Sequence, residues 1–268
     1  MRPVVRIVAV ALLATTLACS PNQTERPALA FILAGQSNMV GRGTLTDLAS
    51  DLRTVPTTIV FLRHRATAEF ADQRWFGPEV GFAQEMAAAW PGERILLLKR
   101  AVDGTSLLAW APDWDAIRAD QTDNRKAGPL YRTLMGDVAD ASRRYPLVWA
   151  GLVWMQGESD ALHPTAGEEY GSNLATFVGR LRHDLGRPKL PFIYGQINPP
   201  RDFPARERVR AAQVAAETAL SPARMVITDD LPMGADHLHY NSVALVELGR
   251  RLARAYLALQ PRPPAASH

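Results

Sequence analysis

The chain has 268 residues, 47% hydrophobic and 21% charged, with a formal net charge of +3. That is enough apolar material for one sizeable core, and a single folded domain is the expectation. Two of the excess positive charges sit at Arg2 and Arg6, and no dense Lys/Arg run with interleaved aromatics follows. The balance therefore argues against a nucleic-acid partner.

Residues 1–18 read as a signal peptide. Arg2 and Arg6 form its positive start, and Ile7 to Ala14 form an apolar core too short to span a membrane. Cys19, the one cysteine, follows Leu17-Ala18. That placement resembles a bacterial lipobox, whose cysteine is acylated. Cleavage after Ala18 without acylation is the alternative. The expectation is an exported protein: a periplasmic or cell-envelope lipoprotein that meets the membrane only through a lipid on Cys19, or a secreted one. Residues 19–28 are polar and proline-bearing and read as a tether. The folded domain is expected over 29–260, with a flexible tail over 261–268.

The first strand is expected at 29–34. It breaks at Gly35 into Gln36-Ser37-Asn38-Met39, so a serine stands just past a buried strand on a glycine-bearing turn. Thr57 to Leu62 is β-branched and apolar, a second strand. After the turn Gly77-Pro78-Glu79, Val80 to Trp90 carries Phe82, Met86 and Trp90 on one helical stripe. Arg94 to Leu98 reads as a strand leading into Asp103-Gly104-Thr105. Residues 107–129 look irregular and aromatic, with Trp110 and Trp114. A helix is expected over Leu130 to Tyr145. Leu147 to Met155 is an almost unbroken apolar run, as for a central parallel strand buried on both faces. It ends in Gln156-Gly157-Glu158-Ser159-Asp160. Helices at 170–185 and 204–220 alternate with strands at 191–194 and 225–228. The loop Asp236-His237-Leu238-His239 then precedes a last helix, capped by Asn241 or Ser242. Strands alternating with helices predict an α/β fold with a central parallel sheet and helices on both faces.

In such a sheet every strand end that precedes a helix lies on one edge, so clusters distant in sequence meet in one cleft. Acyl transfer needs a nucleophile, a base, a group that orients the base, and donors for the oxyanion. Ser37 suits the first role. Residues three apart in a tight loop can face each other, so Asp236 can hold Nδ1 of His239 and leave Nε2 for Ser37. His237 is the competing base, adjacent to Asp236 and expected to point away. The N–H groups of Ser37 and Gly104 and the side-chain amide of Gln156 are the expected oxyanion donors, with Gln36 and Glu158 supporting the site. Glu158 is also the alternative orienter of His239.

Taken together, Gly35-Gln36-Ser37-Asn38-Met39, Gly77-Pro78-Glu79, Gly104-Thr105, Trp154-Met155-Gln156-Gly157-Glu158-Ser159-Asp160 and Asp236-His237-Leu238-His239 resemble the SGNH/GDSL hydrolase superfamily. The likeness is to its sialate O-acetylesterase-like branch, which includes the family 6 acetylxylan esterases, and it spans about 30–258. It implies a flavodoxin-like three-layer α/β/α sandwich, removal of O-acetyl groups from carbohydrates through an acyl-enzyme, and no metal or other cofactor. The substrate partner is then an acetylated carbohydrate. Trp75, Trp110 and Trp114 become candidates for stacking on sugar rings, and Arg100 and Arg201 for lining the cleft, each against a plain core or surface role.

Three alternatives stand beside this reading. The same triad can serve lipid or thioester acyl groups. Asp236, His237 and His239 can hold zinc, since His-x-His is a ligand spacing, but no third neutral ligand has matching spacing. A silent sugar-binding module is the last, and the complete triad argues against it. His64, His163 and His183 show no ligand spacing and are expected at the surface.

Overall fold

Ala28–Gly35, eight residues all buried, forms strand β1 at the middle of the sheet, where apolar side chains are wanted on both faces. A computed structural model gives the structure and describes residues 26–72, 74–261 and 263. The signal segment, Cys19 and most of the expected tail lie outside the described residues. The other strands are β2 (Ile59–Arg63), β3 (Ala66–Thr67), β4 (Ile95–Ala101), β5 (Leu147–Met155), β6 (Phe192–Gly195) and β7 (Ala223–Val226). The helices are α1 (Ser37–Val40), α2 (Glu79–Ala89), α3 (Ala116–Asp120), α4 (Leu130–Arg144), α5 (Glu158–Leu162), α6 (Pro164–Asp184), α7 (Arg206–Ala219) and α8 (Ser242–Leu259).

The sheet order is β3-β2-β4-β1-β5-β6-β7. Every pairing is parallel except the short β2–β3 ladder at the edge. This is the expected α/β sandwich, with one detail of order its own. In flavodoxin the second strand neighbours the first; here β4 lies between β2 and β1.

Aromatic side chains fill both layers. On one face Phe31 of β1 meets Phe82 of α2 at 5.3 Å and Tyr256 of α8 at 4.7 Å, both edge-on. On the other, Trp154 of β5 meets Phe177 of α6 at 4.6 Å and Trp110 at 5.3 Å. Such pairs contribute about 0.5–1.5 kcal/mol each beyond the area they bury. Trp110 is fully buried, so it is core and not a sugar platform.

Most boundaries shift from the sequence reading by one to three residues, and three differences have a local cause. Helix α6 starts at Pro164, before its apolar stripe, because proline at the first helical position costs no hydrogen bond. Strand β7 ends at Val226, and Thr228 turns inward to donate to the Gln196 carbonyl at 2.6 Å. The stretch 107–129 contains α3, begun by Asp115, whose carboxylate accepts the Arg118 N–H at 2.8 Å.

Candidate active site

Strand β1 delivers Ser37. Gly35 has φ +144°, and a Cβ there would fall 2.0 Å from the Met155 carbonyl oxygen, so only glycine lets β1 turn so close to β5. Ser37 opens α1 at 5% exposure. Among the described residues neither its hydroxyl nor its backbone N–H has a protein partner. A buried ion pair braces this turn from below. Lys99 of β4 bonds Glu79 at 2.5 Å and donates to the Val40 carbonyl at 2.9 Å, while Glu79 accepts the Gly77 N–H at 3.0 Å. Burial pushes Lys99 below the ordinary lysine range against the pull of Glu79. The Gly77-Pro78-Glu79 motif therefore supports the serine turn from beneath.

Gly104, the second expected donor, has φ +63°, and its N–H also lacks a partner among the described residues. Asn124 fixes that turn: it donates to the Gly104 carbonyl at 2.9 Å and accepts the Ser106 N–H at 2.6 Å. Nothing in the sequence singled out Asn124, which sits in the stretch read as irregular.

Gln156 departs from its expected role as an oxyanion donor. It is fully buried, and its Nε2 is used inward: its two N–H groups are shared among the Thr105 carbonyl at 2.9 Å, Gln36 Oε1 at 3.2 Å and the Asp160 carboxylate. Three acceptors around one nitrogen fix the amide's orientation. Asp160 also accepts the Leu107 N–H at 3.1 Å. Burial raises its pKa to about 7, against the opposing effect of these hydrogen bonds. Gln36 Oε1 in turn accepts from Gln156 Nε2 and from the N–H groups of Gly157 and Ser159, each at 3.2 Å. With its oxygen held three ways, the Gln36 amide leaves its Nε2 without a partner among the described residues, on the wall of the cleft that holds Ser37. The free side-chain amide is thus that of Gln36.

The opposite wall is the loop before α8. Asp236 Oδ2 bonds His239 Nδ1 at 2.6 Å, and Asp236 Oδ1 accepts the N–H groups of His239 at 2.9 Å and Leu238 at 3.0 Å. Partial burial raises the Asp236 pKa, but these three bonds outweigh it and hold the carboxyl at about 2. His239 Nε2 has no partner among the described residues and faces the cleft. His237 is exposed, with φ +56°, and lines no part of the cleft. No hydrogen bond joins Glu158 to His239 among the described residues, although the two share the cavity. Glu158 Oε1 accepts from Asn38 Nδ2 at 2.7 Å, and burial raises the Glu158 pKa against the pull of that bond and of the histidine's charge. Asn38 clamps the two walls: the same Nδ2 donates to the Leu238 carbonyl at 3.2 Å, and its oxygen accepts the Tyr240 N–H at 3.1 Å.

Ser37, Gln36, Gly104, Glu158 and His239 share one cavity of about 280 Å³. No hydrogen bond joins Ser37 to His239 in it, a contact that often tightens only when substrate binds. A second cavity of about 660 Å³ adjoins it on the His239 side, lined in part by Arg42 and Trp75. Arg100 lies elsewhere, bonding Asp137 at 2.6 Å, and Arg201 is exposed in a turn. Trp114 packs its ring nitrogen against Gly128. His64, His163 and His183 line neither cavity. Among the described residues no group of three His, Cys, Asp or Glu has the arrangement of a metal site.

Comparison with known proteins gives a coherent set. Residues 27–258 match the family model described as carbohydrate esterase, sialic acid-specific acetylesterase. A probable carbohydrate esterase of Arabidopsis thaliana is 32% identical over 244 residues, covering 85% of this chain and 90% of that protein. A 1.6 Å X-ray structure of a protein from Arabidopsis thaliana superposes with a TM-score of 0.73 at 27% identity, covering 87% of this chain and 98% of that one. NanS superposes with a TM-score of 0.67 at 16% identity, covering 88% and 98%, a likeness of fold.

Proposed function

We propose that this chain, which belongs to the family of carbohydrate esterases described as sialic acid-specific acetylesterases, removes O-acetyl groups from carbohydrates by way of an acetyl-serine at Ser37. It is a carboxylic ester hydrolase. The observation that carries the mechanism is the bond between Asp236 and His239 Nδ1, which directs the unpartnered Nε2 into the cavity that holds Ser37.

Ser37 Oγ attacks the acetyl carbonyl carbon and passes its proton to His239 Nε2. The carbonyl oxygen becomes an oxyanion among the N–H groups of Ser37 and Gly104 and the Nε2 of Gln36, donors that stand unused in the resting protein. Collapse breaks the bond to the sugar oxygen, which leaves with the proton from His239. Water then gives a proton to Nε2 and attacks the acetyl-serine carbonyl; collapse of that intermediate breaks the bond to Ser37 Oγ, which takes the proton back from His239 as acetate leaves. Asp236 fixes the tautomer at the start and stabilises the imidazolium formed in each half-reaction.

Glu158 and Asn38 act at one remove, holding the loop against the serine turn. Within the branch, both sialate O-acetylesterase and acetylxylan esterase activities fit these residues. Export, and acylation of Cys19 as a lipoprotein anchor, extend the proposal on the sequence around residues 1–19 alone. Acetate release from an aryl acetate and from acetylated glycans, lost in Ser37→Ala, tests the reading. Equal turnover by folded Ser37→Ala would refute it.

A further inference from the structure

The proposed chemistry uses the smaller cavity and leaves the larger one unassigned. At about 660 Å³ it lies within the roughly 300–1,000 Å³ of small-molecule sites. It opens directly onto His239, where the alcohol of the ester must lie. Arg42 belongs to the walls of both cavities.

Arg42 is held in place from several sides. The bridge between Gly43 and Phe76, with N–H to carbonyl distances of 3.1 and 2.9 Å, pins its backbone. Its guanidinium pairs with Asp103 at 3.0 Å and lies 4.8 Å from the centre of the Trp75 ring. An unpaired arginine over a cavity would attract a carboxylate, but this one already has its counter-ion. The remaining charged residues of the larger wall are Asp47 and Asp236. Asp47 accepts from Thr44 Oγ1 and Ser242 Oγ, both at 2.7 Å, so only neutral donors face its charge. Asp236 is compensated only while His239 is protonated. Arg74 lies over the same tryptophan at 4.6 Å but outside the wall.

We propose that the larger cavity holds the sugar, and that Arg42, locked between Asp103 and Trp75, selects acetylated sugars without a carboxylate over sugars that carry one. This rests on the carbohydrate esterase reading and names the substrate class within it. It differs from the sialic acid preference in the family description, since sialic acids carry a carboxylate. The donors left on Arg42 meet hydroxyl groups.

The test compares kcat/KM for a methyl glucoside and a methyl glucuronoside acetylated at the same position, with 4-nitrophenyl acetate as a third substrate. The neutral sugar should be preferred by about tenfold, the effect of uncompensated like charge across a partly solvated wall. Asp103→Asn, which frees the guanidinium, should shift the ratio towards the acidic sugar, and Asp47→Asn should shift it the same way. A ratio between two substrates on one protein cancels any loss of folded enzyme. Equal turnover, preference for the acidic sugar, or a ratio unmoved in both variants overturns the proposal. Hydrolysis of the aryl acetate with neither sugar touched overturns the carbohydrate reading with it. No hydrolysis of any of the three overturns the esterase mechanism itself.

Discussion

The two walls of the cleft are built in opposite ways. On the histidine wall Asp236 makes its bonds within three residues, and its side chain is 53% exposed. On the serine wall Gln36, Gln156 and Asp160 are buried, and the Gln36–Gln156 bond joins residues 120 apart in sequence. The first wall is a loop that forms its own contacts once α8 is placed. The second is part of the core, satisfied only when β1, β5 and the turn after β4 are together. Substitutions on the loop wall should therefore change chemistry more than stability, and substitutions on the buried wall should change both.

The largest expected effects are on the loop wall and on Ser37. His239→Ala and Ser37→Ala should abolish measurable turnover of an aryl acetate. Asp236→Asn should lower kcat by on the order of 10⁴, the loss caused by the wrong tautomer in a trypsin-type triad. Melting temperatures of the two loop variants should fall less than those of buried-wall variants: Asp236→Asn loses the contribution of a half-exposed carboxylate but little buried structure. A large fall in melting temperature for Asp236→Asn would break the contrast between the walls. A greater kcat loss for Glu158→Gln than for Asp236→Asn would move the orienting role to Glu158.

Gln36 comes next. Removing one preorganised donor from an oxyanion site costs about 10²–10³ in kcat. Gln36→Ala should show that loss, together with lower stability, since three donors lose their shared acceptor. Gln36→Glu should restore the acceptor without the Nε2 donor, recovering stability but not kcat. Recovery of both by Gln36→Glu would place the Gln36 amide outside the oxyanion site.

The same division explains what could be read from sequence. The Asp236–His239 pair is a three-residue spacing, and Ser37 is announced by the break of an apolar run at Gly35. Parallel strand ends share an edge, so the meeting of these clusters followed from topology. Gln36 and Gln156 were both legible as polar residues at strand ends, but which of the two amide nitrogens is engaged inward was not. Which amide faces the cleft depends on Thr105 and Asp160 drawing Gln156 inward, long-range contacts without sequence periodicity. Asn124 and Lys99 were missed for the same reason: an asparagine in an irregular stretch and a lysine in an apolar strand carry no local mark of their partners.

Gln156→Ala separates the two amides at smaller magnitude. It leaves the Asp160 carboxyl and the Thr105 carbonyl without a donor they share. An unsatisfied buried group costs about 1–3 kcal/mol, so the main expected effect is a drop in unfolding free energy of that size. The kcat of the folded fraction should fall less than in Gln36→Ala. Unchanged stability with a kcat loss as large as that of Gln36→Ala would return Gln156 to the oxyanion site.

The smallest effect is a pH slope, and it distinguishes the walls by sign. Asp160 ionises near 3.8 in the unfolded chain, whereas burial holds its folded pKa at about 7. Between those values the folded state binds the extra proton. The stability this group contributes is therefore full below 3.8 and is lost as pH rises through about 7. Asp236 behaves oppositely. Its folded pKa of about 2 gives a contribution that is present above 3.8 and lost only as pH falls through 2. A melting series between pH 4 and 8 thus spans the titration of Asp160 and lies wholly above that of Asp236. Asp160→Asn keeps an oxygen for Gln156 Nε2 and the Leu107 N–H but cannot ionise, so it should melt progressively closer to, or above, wild type as pH rises across this range. Glu158, whose carboxyl burial also raises, still titrates in that variant, so the slope should shrink and not vanish. A gap between the two proteins that stays constant with pH would mean that the Asp160 carboxyl is ionised in the fold throughout, and that the buried wall holds a charge that its hydrogen bonds fully compensate.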